Sequence, residues 1–517
     1  MYCNHKAISV TRNLMDALHR FRRPDASRVL WADAICINQD DVEERGSQVQ
    51  LMARIYSEAS RVLIWLGHGD PITIQAAFKY ICQYVNHCSR DYLIEGEHAT
   101  YRWNGEEVDV ETDDLESFNP EPGGFVPVAL EHFFTRPYFR RGWVVQEIVL
   151  PGKADMFWGL AQIDFHWFCR ADHGLRVLWS PKFSGDARDG LWAIAFIQRL
   201  RGSAHEFPTQ YPFSKLLMYT REQKFSDPRD RIYGLLGLAK ICCELASKPL
   251  LLRPDYSISM LECYKRATET LLTECKDTSI LSLVKYDETS AGEWPSWVPR
   301  VHKSVHHEPY YRSWSAGGHL ETTLSKQIYG GYEHVRIKGI RVAGLKSLVY
   351  KTLRDAEDVQ KLLLMLDRRY GEHCVAWTAS AGEVWNAPLC VDAAVQSRHL
   401  DDYRIFVNHD FTNLPLLSNS SDSSRRAKNF HKLCSAVLTK DTIFETDEDL
   451  LGTSSSLVQP GDQVVIFFGG NMPFILRPVG NRWRLVGTCF VYGIMQGEVI
   501  EQWEHSTKYT AEDFDIF

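Results

Sequence analysis

Apolar positions near the start of the chain alternate between helical and strand-like spacing. Leu14, Ala17, Leu18 and Phe21 recur at helical period, with Thr11 placed to cap the helix and Pro24 and Asp25 to end it. Val29 to Ala32 is a short continuous apolar run that predicts a buried strand, leading through Asp33 into the polar loop Cys36-Ile37-Asn38-Gln39. Asp40 and Asp41 are placed to cap a second helix whose inner stripe is Val49, Met52, Tyr56 and Ala59, and residues 61 to 67 predict the next strand. Helix, strand, helix, strand with unbroken apolar strands predicts a parallel sheet covered on both faces.

A further helix is expected around Ile74 to Cys88. Residues 105 to 124 carry eight acidic side chains with Pro120 and Pro122, the composition of a solvated insertion. The pattern tightens again at 132 to 148 and at 227 to 237, two blocks dense in arginine, carboxylate and aromatic residues. Past about residue 245 a helix is expected from Ile258 to Leu272, and then strands dominate: Val335 to Val342, Gln463 to Phe468, Phe474 to Leu476 and Trp483 to Tyr492. These are expected to form a small antiparallel sheet with barrel character. The chain therefore divides at 1–245, a helical and irregular connector at 246–330, and a strand-rich region at 331–517 containing a serine-rich linker at about 418–428.

Composition narrows the function classes. A chain of 517 residues with 44% apolar side chains can bury large cores, which excludes a disordered polymer. A net charge of −8 gives no chain-wide attraction to nucleic acid or anionic lipid, although a local basic patch remains compatible with it. Thirteen cysteines without a CxxC pair fit reduced thiols in a cytoplasmic protein, and no long apolar span predicts a membrane helix. Phosphate-binding loops, GxSxG elbows and HExxH helices are absent. His302, His306, His307 and Glu308 have metal-like content but lie among prolines without ligand-pair spacing, so no metal site is expected.

The run LWADAICINQDDVEERGSQVQLMARIYSEASRVLIWLG, residues 30 to 67, resembles the signature block of the fungal heterokaryon-incompatibility (HET) domain. RPYFRRGWVVQEI at 136 to 148, DPRDRIYGLLGL at 227 to 238, PSWVPR at 295 to 300 and the segment from 461 to 500 follow in the order the family shows. The resemblance implies a HET domain over 1–245 and a protein of fungal non-self recognition and programmed cell death, acting through protein partners or self-association. It also implies a distant relation to TIR domains, with a flavodoxin-like parallel sheet flanked by helices. The family's opening Y-x-x-L-S-Y-x-W-G strand has no counterpart here, so the sheet is expected to lack its first strand.

Enzymes of the TIR class place a catalytic glutamate after a tryptophan, and Trp143-Val144-Val145-Gln146-Glu147 is similar to that pattern. By that resemblance Glu147 would be the catalytic carboxylate of an NAD glycohydrolase, with NAD as substrate, no further cofactor required, and Asp33, Asn38, Gln39 and Trp143 around the nucleotide. A carboxylate suits the chemistry because N-glycosidic cleavage passes through an oxocarbenium-like state. Three plainer readings stand beside it. Glu147 can be a structural partner of Arg140 or Arg141. Asp33, Asn38 and Gln39 can be turn and cap residues, and Trp143 can be core. The chain can also be an inactive relative.

Overall fold

Two short strands, β1 (Tyr2–Cys3) and β2 (Lys6–Ala7), pair antiparallel ahead of the first helix. The computed structural model describes residues 2–3, 6–23, 25–91, 98–110, 125–179, 183, 185–205, 213–242, 252–273, 278–286, 294–302, 314–322, 324–329, 332–350, 356–370, 401–406, 426–427, 430–431, 434, 442–454 and 457–517. The chain divides into two units, Met1–Cys263 and Tyr264–Phe517.

In the first unit the Thr11 hydroxyl accepts the Leu14 amide and starts α1 (Arg12–Phe21), which buries Ala17 and Phe21. Helix α2 (Asp33–Cys36) is a single turn, and Asp41 caps α3 (Val42–Glu58) by accepting the Glu43 and Glu44 amides. Then follow β3 (Val62–Trp65), α4 (Pro71–Asp91), β4 (Tyr101–Trp103), β5 (Glu106–Val108) and α5 (Phe125–Phe134). A 3-10 turn at Pro137–Arg140 leads to α6 (Val144–Val149), β6 (Ala154–Trp158), β7 (Ala161–Asp164), α7 (Phe165–Trp179), α8 (Gly185–His205), α9 (Phe213–Tyr219) and α10 (Asp230–Cys242).

The strand expected at Val29 to Ala32 does not form. Val29 is fully exposed, and the Ala32 carbonyl instead accepts the Ile35 and Cys36 amides to begin α2, so the run's hydrogen bonds go into a helical turn. The expectation of a parallel sheet covered on both faces is corrected as well. The order is β3-β6-β7-β4-β5; β3–β6 is parallel and the other three pairings are antiparallel. Two tight turns force two of these antiparallel pairings, β4–β5 and β6–β7. Asn104 and Gly105 sit at φ 51° and 90° between β4 and β5, and Gly159 at φ 56° opens the two-residue turn between β6 and β7. Part of the expected acidic insertion is thus strand β5, while residues 111–124 lie outside those described.

Side chains alternate across a sheet, so the register sorts its two faces. Ile64, Met156, Ile163 and Tyr101 share the buried face, where Phe78 of α4, Phe133 of α5 and Phe168 of α7 meet Trp158. On the opposite face α1 lays Ala17 and Phe21 over Leu63, Trp65 and Phe157. Beyond that apolar patch the same face carries Asp155, Asp164, Gln162, Arg102 and Glu107.

The second unit begins within α11 (Met260–Thr273) and continues through a 3-10 segment at Thr278–Leu283 to β8 (Leu324–Tyr329) and β9 (Tyr332–Tyr350). Helix α12 (Ala356–Tyr370) precedes β10 (Thr442–Thr446), β11 (Leu451–Ser454), β12 (Gln463–Phe467), β13 (Phe474–Val479), β14 (Arg482–Thr488), β15 (Phe490–Val491), α13 (Glu498–His505) and β16 (Ala511–Ile516). The nineteen-residue β9 pairs with both β16 and β12, so β9-β12-β13-β14-β16 closes into a ring. Its strands are antiparallel except for β14–β16, which is parallel. Register shifts at Val464/Val465 and Ile475/Leu476 supply the bends that a small barrel needs. Ile340, Val464, Ile466, Ile475 and Val486 belong to its buried core.

Of the serine-rich linker, residues 418–425 and 428 lie outside those described, and Arg426 pairs with the Asp402 carboxylate at 2.5 Å. His306, His307 and Glu308 lie outside them too. No described helix is long and apolar enough to cross a membrane.

Candidate functional site

The segment 137–147 is folded back on itself by its neighbours. Arg140 pairs with Asp186 at 2.8 Å and Asp189 at 3.2 Å on α8. The Gly142 amide donates to the Lys224 carbonyl at 2.9 Å, and a Cβ at Gly142 would stand 2.0 Å from the Phe225 ring, so only glycine permits this approach. The fold-back carries Tyr138 and Arg141 onto the first turn of α6, where Glu147 points its carboxylate. The Tyr138 hydroxyl donates to Glu147 Oε2 at 3.0 Å, and Arg141 Nη2 lies 4.0 Å from Oε1.

Glu147 is 14% exposed, whereas Arg141 is 54% exposed. Burial raises the Glu147 pKa against the opposing pull of Arg141 and the Tyr138 hydroxyl, and the negative charge of Asp33 adds to the rise. Burial likewise pushes the hydroxyls of Tyr56 and Tyr138 well above their usual range, with Glu147 contributing to both. Glu147, Asp33, Tyr56, Tyr138 and Arg141 thus form one electrostatic cluster drawn from α2, α3, the 3-10 turn and α6. It sets a largely buried carboxylate beside a second acid and two neutral phenols, which can hold a proton or bind hydroxyl groups.

The other sequence candidates have different partners. Asn38 closes an Asx turn, its Oδ1 accepting the Asp40 amide at 3.3 Å, while its own amide donates to Glu44 at 3.0 Å. Gln39 donates to the Asp33 carbonyl at 3.3 Å. Trp143 donates its indole N–H to Asp230 Oδ2 at 3.2 Å. Asp230 also accepts the Tyr256 hydroxyl at 2.5 Å, beneath Arg45, whose guanidinium lies 3.9 Å from the Tyr256 ring centre. Asp227 caps the turn ahead of α10 by accepting the Arg229 amide at 3.0 Å, and it pairs with Arg229 at 2.7 Å. Arg229 also donates to the carbonyls of Tyr256 and Ile258 at 2.7 Å. That cluster packs α10 against the chain at 255–258.

Sequence reasoning missed Tyr56 and Tyr138. Tyr138 stands in the RPYFRRGW block, and its nine-residue separation from Glu147 becomes a contact only through the 3-10 turn.

The raised Glu147 pKa fixes the sign of a pH effect. A carboxyl with a folded value above its unfolded one contributes stability below the unfolded value and loses it as pH rises through the folded value. Glu147→Gln is therefore expected to gain in melting temperature relative to the parent as pH goes from 4 to 7, read by scanning calorimetry. A loss growing over that range would instead assign Glu147 to a stabilising ion pair with Arg141.

Residues 1–147 match the family model of the heterokaryon incompatibility protein (HET) and residues 391–510 match the Het-6 beta-barrel domain. The chain carries a HET-family domain in its first 147 residues. "Heterokaryon incompatibility protein 6, OR allele" from Neurospora crassa is 25% identical to it, over 95% of this chain and 84% of the relative. No solved structure matches. All five members of the Glu147 cluster lie inside the matched residues 1–147. Strands β9 and β16, which close the ring, lie outside the matched barrel segment.

Proposed function

We propose that this HET-domain protein works in fungal non-self recognition, as a cytoplasmic effector whose engagement by protein partners or by self-association leads to cell death. The similarity to a heterokaryon incompatibility protein across 95% of the chain, through both the HET match and the barrel match, carries this reading. Induced expression of the full chain in a filamentous fungus tests it. Loss of hyphal viability is expected, and growth equal to that of an empty-vector strain at matched protein level would defeat the proposal.

A second reading rests on the Glu147 cluster. A buried carboxylate beside Asp33 and two phenols suits a TIR-like NAD glycohydrolase. In that reaction the bond between ribose C1′ and the nicotinamide nitrogen breaks, the nitrogen keeps the electron pair, and water adds to the oxocarbenium carbon with loss of a proton. Glu147 would stabilise the positive charge at C1′ and bind the ribose hydroxyls. Nicotinamide release by the purified chain is expected to fall about a hundredfold or more in Glu147→Ala. Equal turnover in parent and variant would remove Glu147 from catalysis.

A further inference from the structure

The sheet face that α1 leaves open forms the floor of a cavity of about 590 Å³. Six arginines and three carboxylates line it, an excess of three positive charges in a chain whose net charge is −8. Three of the arginines are built into the walls. Arg20 donates to the carbonyls of Gly159 at 3.1 Å and Leu160 at 3.0 Å and lies over the Phe157 ring. Arg28 donates to the Phe21 carbonyl at 3.0 Å, and Arg61 is paired with Asp155. Of the three acids, Asp155 is thus neutralised, Asp164 lies 3.9 Å from the same Arg61, and Glu107 accepts the Thr100 hydroxyl at 2.8 Å.

The other three arginines face the cavity differently. Among the described residues the guanidinium groups of Arg22, Arg23 and Arg102 have no hydrogen bond, ion pair or ring contact. They come from two separate places, the exit of α1 and strand β4, and converge on one concavity. Burial lowers the Arg28 pKa, and the charge of Arg23 lowers it further, so the walls hold like charges close together. A lone solvated arginine is ordinary, but several unpaired ones aimed into one cavity over fixed cationic walls form an anion receptor. Guanidinium forks match phosphate oxygens two at a time, which favours a phosphate over a monocarboxylate.

We propose that this cavity binds a compact polyphosphate anion, with Arg22, Arg23 and Arg102 as its phosphate ligands. The site is separate from the Glu147 cluster, none of whose members lines it. The phosphates can be free or carried on a nucleoside, and Trp167 in the wall offers stacking surface for a base.

Titration calorimetry of the full chain with tripolyphosphate and with ATP tests the proposal. Saturable binding at low salt is expected, weakening as salt is raised. The triple variant Arg22→Ala, Arg23→Ala, Arg102→Ala is expected to bind at least about a hundredfold more weakly. All three residues are exposed, so the variant should keep the parent melting temperature. Arg54→Ala, on α3 and outside the cavity, should bind as the parent does. Equal affinity for the two probes assigns the site to phosphate groups alone; tighter ATP assigns it to a nucleotide. Failure of both probes to bind, binding unchanged by the triple variant, or binding of single-stranded RNA without either probe would overturn the proposal. None of these readouts depends on cell death or nicotinamide release.

Discussion

Gly190→Ala is expected to destabilise the first unit by about 3 kcal/mol, although alanine is intrinsically the better helix former by about 0.5–1 kcal/mol. The sign is set by where α8 crosses α5. A Cβ on Gly190 would stand 2.0 Å from the carbonyl oxygen of Phe134, the last residue of α5, and a backbone oxygen cannot swing aside as a side chain can. Phe134 is itself fully buried against Phe133, Phe139 and Phe183, so relief requires moving the whole helix end. At about 2–4 °C per kcal/mol for a unit of this size, the melting transition should fall by about 6–12 °C. Gly185, on the same helix with open space around its Cβ position, should tolerate alanine with little change. The effect should reach the Glu147 cluster as well. Asp186 and Asp189 precede Gly190 on the same helix and hold Arg140, the neighbour of Arg141. Hydrogen exchange should therefore show lost protection in α6 together with α5 and α8, and a loss confined to α8 would break this chain of contacts.

How far the sequence reveals this architecture depends on where each element finds its partners. Helices α1 and α3 are legible because cap and period lie within a short window: Thr11 and its apolar stripe ahead of Pro24, and Asp41 ahead of the stripe through Val49 and Met52. The run at Val29 to Ala32 reads as strand by the same local logic, yet strand formation needs a neighbouring strand to accept its hydrogen bonds, and β3 pairs with β6 instead. The Asn104-Gly105 turn is a strong hairpin signal that eight acidic residues nearby obscured. At the candidate site, Glu147 was legible from a resemblance, and its tyrosines were not, since Tyr56 arrives from another helix. The unpaired arginines were invisible to a net charge of −8. Arg22 and Arg102 lie far apart in sequence, and the packing of α1 on the sheet face brings them to one cavity.

In the barrel, the buried pair Asp462–Arg477 offers the second large effect. Asp462 is fully buried and Arg477 is 11% exposed; the fork donates at 2.8 and 3.0 Å to the two carboxylate oxygens, and the Gln459 amide adds a third bond at 2.9 Å. Arg477 also donates to the Leu457 carbonyl at 2.7 Å and lies over the Tyr286 ring. The pair ties the entry of β12 to β13, beside the point where the Leu345 amide of β9 donates to the Asp462 carbonyl at 2.7 Å. Arg477→Met keeps much of the side-chain volume but leaves a carboxylate in an apolar setting with one donor, a cost of about 3–5 kcal/mol. Loss of amide protection along β9, β12 and β13 in the full chain should report it. The compensating double variant Arg477→Met, Asp462→Leu removes both charges and should recover most of that loss, because well-packed apolar residues often replace a buried ion pair without penalty. If the effector reading is right and the barrel takes part in it, the single variant should lose killing in the fungal assay and the double variant should regain it. A double variant as unstable as the single one would mean that the hydrogen bonds to Gln459 and Leu457, rather than the uncompensated charge, hold this corner of the barrel together.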